Sequence, residues 1–190
     1  MSVEEYLSFE TDGEVRHEYL GGYLYAMAGA KTVHNRISAN FVGSIHSQLG
    51  GKPCEPFNSD MKVRIQMASH TRFYYPDGMV VCESNPDDEP FQDKPVVVAE
   101  VISESTRRTD EGEKREAYLS IPSLRAYLLI ETNKPQVVAY RRDESGEIRS
   151  ELYAGLESVI QLNEIDAELS LSELYQRVKF SDTDGDREPS

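Results

Sequence analysis

The segment Val96-Val97-Val98-Ala99-Glu100-Val101-Ile102 constrains this chain more than any other. A run of β-branched and apolar residues with no polar alternation is what a strand covered on both faces shows. It therefore belongs at the centre of a sheet. Glu100 breaks the run. A carboxylate among Val98, Ala99, Val101 and Ile102 loses hydration worth several kcal/mol unless it is paired or bound to a cation. Strand alternation puts Val96, Val98, Glu100 and Ile102 on one face, so the compensating group must reach that face from a neighbour.

Asp77 is the candidate neighbour. It follows Pro76 and leads into Met79-Val80-Val81-Cys82, a strand well placed to lie beside the Glu100 strand. Two ionised carboxylates a few ångströms apart repel, and a divalent cation turns that repulsion into ligation. Oxygen-only ligands favour Mg2+ or Mn2+ over zinc.

The rest of the chain predicts an α/β fold: an α+β mixed sheet flanked by helices. Ser2 followed by Glu4, Glu5 and apolar spacing marks a short opening helix. His17–Leu20 and Tyr23–Met27 form a hairpin across Gly21-Gly22, and Tyr19, Tyr23 and Tyr25 are read as core packing. Thr32 is expected to cap a helix reaching about Leu49, with Ile37, Phe41, Ile45 and Leu49 as its buried stripe. Strands are expected over Asp60–Ile65, over Phe73–Cys82 with a break at Pro76-Asp77-Gly78, over Arg125–Glu131 and over Gln136–Arg142. A hairpin through Asp143–Gly146 then leads to Glu147–Tyr153. Glu83–Lys94 reads as a loop, Asp110–Leu119 as a helix with Asp110 as its N-cap, and Leu171–Val178 as a last amphipathic helix. The 190 residues, 38% of them hydrophobic, suit one domain over residues 1–180. The tail SDTDGDREPS, residues 181–190, has no apolar residue and reads as disordered.

A net charge of −14 argues against a protein that coats nucleic acid through a broad basic surface. No apolar run approaches the roughly 18–20 residues that span a bilayer, and the acidic start MSVEEYLSFE is unlike a signal peptide. The expectation is a cytoplasmic protein without membrane association. Cys54 and Cys82 have neither metal-ligand spacing nor a secretory context and are read as buried thiols, not a disulfide. His17, His46 and His70 are given no role.

Taken in order, Pro76-Asp77 and then Glu100-Val101-Ile102 resemble the PD-(D/E)XK nuclease superfamily. Ile102 stands in the slot where that pattern carries lysine. The motifs His17-Glu18-Tyr19-Leu20-Gly21-Gly22, Glu100-Val101-Ile102-Ser103, Ser105-Thr106-Arg107-Arg108-Thr109-Asp110 and Glu113-Lys114-Arg115-Glu116-Ala117-Tyr118 are more specific. They resemble the Uma-type family of restriction endonucleases, over about Val3 to Leu174. Further matching positions are His34 in Val33-His34-Asn35-Arg36, and Asp60 with Val63-Arg64-Ile65, while Glu104 departs from a common proline.

The resemblance implies a restriction-endonuclease-like core in which the lysine has moved to the helix after the central strand, as Lys114. It also implies a metal-dependent endonuclease hydrolysing phosphodiester bonds, with DNA as the partner and a homodimer as the assembly. Asp77 and Glu100, with the Val101 carbonyl, would hold the metal, and Glu18 would complete its shell. Lys114 would orient the attacking water. His34, at the start of its helix, and Arg107 and Arg108 would contact phosphate. Two alternatives stay open: a non-catalytic nucleic-acid-binding protein that keeps the fold, and a metal-dependent hydrolase of another phosphorylated substrate.

Overall fold

A computed structural model describes residues 1–190 except 12, 28, 104, 105, 144 and 181–190. The acidic tail and Glu104 thus lie outside the described residues. Helix α1 (Val3–Thr11) opens with a reciprocal cap: the Glu5 N–H donates to Ser2 Oγ, and the Ser2 N–H donates to Glu5 Oε2. The hairpin of β1 (His17–Leu20) and β2 (Tyr23–Ala26) turns through Gly21 and Gly22, both at positive φ, which glycine adopts without a Cβ clash.

Helix α2 (Thr32–Leu49) buries Ile37, Phe41, Ile45 and Leu49, the four-residue stripe expected of it. Each such fully buried side chain contributes about 1.5–3 kcal/mol. Thr32 is its first helical residue and not its cap. Lys31 occupies the cap position and makes no side-chain cap bond.

The strands β3 (Glu55–Asn58), β4 (Lys62–Gln66), β5 (Thr71–Tyr74), β6 (Gly78–Val81), β7 (Phe91–Gln92) and β8 (Pro95–Ile102) follow. Next come the helical segments α3 (Arg107–Thr109), a π-helical turn (Asp110–Lys114) and α4 (Arg115–Leu119). Then come β9 (Ala126–Glu131), β10 (Gln136–Arg142), β11 (Ile148–Ala154), β12 (Val159–Leu162), β13 (Ala167–Ser170) and α5 (Leu171–Leu174). Among the described residues they make a six-stranded sheet, β11-β10-β9-β8-β6-β3, a five-stranded sheet, β2-β1-β5-β4-β7, and the pair β12-β13.

The Val96–Ile102 run lies inside the six-stranded sheet, antiparallel to β6 and parallel to β9. The α3–α4 segments make the crossover that a parallel β8–β9 pair requires. One face of β8 (Val97, Ala99, Val101) packs with the stripe of α2, and the other (Val98, Ile102) packs with Tyr118, Tyr74 and Tyr127. Among the described residues no helix is long and apolar enough to cross a membrane.

Besides the cap of α2, five expectations need correcting. The stretch Glu83–Lys94, expected as a loop, contains strand β7, which pairs with β4. Cys54 and Cys82 form a disulfide. The β3–β6 register pairs Glu55 with Val81, which sets the two cysteines opposite each other one step further along, and β3 carried no strand signal strong enough to reveal this. Disulfides persist chiefly in oxidising compartments, so this pair lends no support to the cytoplasmic expectation. Tyr23 and Tyr25 are 72% and 54% exposed on an edge strand, and only Tyr19 packs in the core. Asp110 is not an N-cap, because helical backbone already begins at Arg107. The last helix ends at Leu174, short of Val178.

Candidate active site

Gly78 pairs with Ala99, and continuing that antiparallel register sets Asp77 opposite Glu100 at the mouth of the β6–β8 pair. The carboxylate of Asp77 is fixed through Oδ2, which accepts from the Val101 N–H at 2.8 Å and pairs with His34 Nε2 at 3.1 Å. Ser38 Oγ donates to the Asp77 carbonyl. His34 reaches this point because α2 lies close on β6. A Cβ on Gly78 would meet the ring of Phe41 at 2.5 Å, and His34 stands two turns before Phe41 on the same side of the helix.

Glu100 is 3% exposed, and its Oε1 accepts from Tyr118 Oη at 2.9 Å and from Lys114 Nζ at 3.4 Å. Lys114 also lies 2.7 Å from Glu18 Oε1 and 3.7 Å from Asp110 Oδ1, with its ammonium 5.4 Å from the centre of the Tyr74 ring. Asp110 and Lys114 are the first and last residues of the π-helical turn. Both are buried, and Tyr118 follows one turn later on the same side. Such widened turns recur at functional sites because they re-aim side chains that a regular helix would spread apart. Tyr127 Oη closes the floor by donating to the Asp110 carbonyl.

Four carboxylates thus surround one ammonium and one imidazole. Burial pushes the Glu100 carboxyl well above its ordinary range; Lys114 opposes this, while Asp77, Asp110 and Glu18 reinforce it. Burial also raises Asp110. Burial works to lower the Lys114 ammonium, but Glu100, Glu18 and Asp110 more than offset it and hold it above its usual value. Burial likewise lowers His34, and the bond to Asp77 with the charges of Asp77 and Asp110 reverses that, leaving the imidazole above its ordinary pKa.

The donor set fits a hard divalent cation. Every contact of Asp77 falls on Oδ2 and every contact of Glu100 on Oε1, so each carboxylate keeps one oxygen without a protein donor among the described residues. The excess of buried negative charge supplies the attraction. Among the described residues no three acid, histidine or cysteine side chains converge on one point as metal ligands, and of the acids expected to hold a metal Asp77 and Glu100 face each other across the β6–β8 pair while Glu18 is engaged by Lys114.

The structure therefore brings Glu18, His34, Asp77, Glu100 and Lys114 into one cluster. The others expected at the site fall elsewhere. Arg107, expected on phosphate, makes a bidentate pair with Glu131 at 2.9 and 2.6 Å and also binds Glu111 at 2.7 Å. Arg108 is exposed and makes no ion pair among the described residues. Asp60 is 63% exposed and pairs with Arg16, and Arg64 pairs with Asp93. Tyr118 was missed, although its place four residues after Lys114 was a usable signal. Asp110 stands four residues before Lys114, so its place beside the lysine carried the same signal, and only its burial did not.

The sequence profile of the family described as "Uma2: Putative restriction endonuclease" matches residues 3–173. The uncharacterized protein slr1290 of Synechocystis sp. PCC 6803 is 35% identical over 150 residues, covering 77% of each chain. The uncharacterized protein sll1609 of the same organism is 32% identical over 145 residues, 75% of this chain and 81% of the relative. A crystal structure of a putative nuclease belonging to DUF820 from Anabaena variabilis superposes with a TM-score of 0.72 at 17% identity, covering 92% of this chain and 97% of that one. At that identity it shows the shared restriction-endonuclease-like fold alone. With a family match spanning the central strand, its acidic partner and the lysine helix, this chain belongs to the Uma2 family.

Proposed function

We propose that the protein is a metal-dependent endonuclease that hydrolyses phosphodiester bonds in DNA. The observation that carries the reading is the imbalance of the buried cluster: Glu18, Asp77, Glu100 and Asp110 around Lys114 and His34. Burying four acids against one amine and one imidazole costs the fold desolvation energy, and a bound divalent cation would offset that cost and screen the acids from an anionic phosphodiester. Membership of a family described as restriction endonucleases points to the same chemistry.

Asp77 and Glu100, with the Val101 carbonyl, would hold Mg2+ or Mn2+, which supplies a water of lowered pKa and polarises the scissile phosphate. Lys114 Nζ would orient the attacking water or stabilise the oxygen on which charge develops, the role left open by Ile102. Tyr118 fixes the rotamer of Glu100, and His34 with the Val101 N–H fixes that of Asp77. Glu18 holds Lys114 against the opposite wall.

The test is cleavage of plasmid, single-stranded DNA and RNA with Mg2+, Mn2+ or chelator, by the wild type and by Asp77→Ala and Glu100→Ala. Metal-dependent cutting by the wild type, lost in both variants, is expected. Cutting that survives in both removes the proposed site. Failure of the wild type to cut any substrate, with Mg2+ still bound, assigns the fold to a non-catalytic role or to a smaller phosphorylated substrate.

A further inference from the structure

The two edges of the six-stranded sheet are finished differently. At one edge β3 carries Pro56, which has no N–H to offer, and Cys54 beside it is tied to Cys82. That is a guarded edge. At the other, β11 is paired, among the described residues, only with β10 and has neither proline nor lysine. All its residues but Tyr153 are exposed, including Leu152 at 65% and Ile148 at 38%. Ile148, Ser150 and Leu152 lie opposite Arg142, Tyr140 and Val138, on the sheet face where Arg115, Leu119, Tyr140 and Ile148 line an open trench of about 480 Å³.

We propose that β11 is a self-association edge, on which a second copy of this chain pairs antiparallel about a two-fold axis through Ser150. The backbone decides which registers exist. Hydrogen bonds from the Asp143 N–H to the Glu147 carbonyl and from the Gly155 N–H to the Pro135 carbonyl flank the β10–β11 ladder. Odd-numbered residues of β11 therefore turn their N–H and C=O groups toward β10, and Ile148, Ser150 and Leu152 turn theirs outward. Two copies can pair only even residue against even residue.

The side chains then select among the registers that pair the centre of the strand. An axis through Arg149 sets Arg149 against its own copy, and one through Glu151 sets Glu151 against its own copy. Like charges directly opposite destabilise a ladder. The axis through Ser150 sets Arg149, 3.1 Å from Asp143 in its own chain, against Glu151, 3.1 Å from Arg141, twice, and Ile148 against Leu152 twice. All four apolar side chains then lie on the trench face. The resulting contact makes one continuous twelve-stranded sheet across two chains. This inference does not rest on the proposed nuclease activity, and its readout is mass.

The experiment is light scattering and sedimentation of the full chain. The wild type is expected at twice the 21.5 kDa chain mass. Arg149→Glu alone and Glu151→Arg alone each place like charges face to face twice per dimer. Each is expected to weaken association by about ten-fold or more. The combined swap R149E/E151R restores opposite charges across the axis and is expected to restore the dimer. Ser150→Cys, which meets its own copy on the axis, is expected to cross-link into a dimer under mild oxidation. A wild type that stays at the single-chain mass overturns the proposal. So do single reversals that leave a dimer intact, or a natively folded double swap that remains a monomer together with a Ser150→Cys variant that does not cross-link.

Discussion

Glu10 and Glu100 are glutamates with side chains almost wholly removed from water, 2% and 4% exposed, yet their surroundings have opposite character. Glu10 accepts three hydrogen bonds, from the His17 N–H at 3.0 Å, from His17 Nδ1 at 2.8 Å and from Tyr75 Oη at 2.7 Å. The charges near Tyr75, Arg16 and Lys62, are basic. Glu100 accepts from Tyr118 and Lys114 and is ringed by Glu18, Asp77 and Asp110. Burial of an acid is common to both. The sign of the surrounding charge separates a carboxylate that ties helix to sheet from one poised to bind a cation.

The hardest way to break this contrast is to remove the one ammonium that serves Glu100. Lys114→Met is expected to destabilise the metal-free fold by about 3–5 kcal/mol, because it leaves buried carboxylates without their cation. Added Mg2+ should return part of that loss. Chemical denaturation with and without Mg2+ measures both, and a loss that Mg2+ does not touch would dissolve the distinction between the two glutamates.

Glu10→Ala gives the matching control. It strands the His17 N–H and Tyr75 Oη and should cost about 2–3 kcal/mol, equally with Mg2+ and with chelator. A Mg2+-dependent cost at Glu10 would make it part of the site.

Glu100→Gln sharpens the comparison in the other direction. It removes a charge that burial disfavours and keeps an acceptor for Tyr118, so metal-free stability at neutral pH should stay level or rise by about 1 kcal/mol. Cleavage should fall by about a hundred-fold or more. The sign with pH follows from the raised carboxyl. Stability that Glu100 contributes below its ordinary value of 4.5 is lost as pH rises through its folded pKa. A divalent cation should therefore raise the wild-type Tm more at high pH than at low pH, and little in the Gln variant. Scanning calorimetry across that range decides it.

The smallest effect lies at the rim of the site. His34 is held above its ordinary 6.5 by Asp77, so its share of stability is present below 6.5 and lost as pH rises through the folded value. In Asp77→Asn the imidazole loses the partner that raises it most and its pKa should fall, with little change in fold. An NMR titration of the His34 ring gives the shift, and no movement would detach His34 from Asp77.

Much of this arrangement was legible along the chain. Glu100 stood out because an apolar strand cannot hold a lone carboxylate. The Asp77–Glu100 neighbourhood was suggested by two strand patterns and supported by the family resemblance, and Lys114 came from that resemblance alone. Glu10 did not stand out, because in Glu4-Glu5-Tyr6-Leu7-Ser8-Phe9-Glu10 it looks like any solvated helix acid. Arg107 looked like a phosphate contact because its partner Glu131 lies a strand away. Cys54 and Cys82 looked unpaired because they have neither metal-ligand spacing nor a secretory context, and the β3–β6 register that joins them is not expressed in local pattern.

By itself the sequence determined the periodic elements: the two-sided strand β8, the stripe of α2, the glycine-turned hairpin and the place of one carboxylate where solvation forbids it. These depend on local pattern, which neighbours in the chain can express. Only the tertiary structure decided which acids surround Lys114, that Arg107 is taken by Glu131, that two cysteines meet, and that one sheet edge is guarded while the other is open. Those outcomes depend on register and on distances between residues far apart in the chain, and electrostatic energy is set by such distances and by burial.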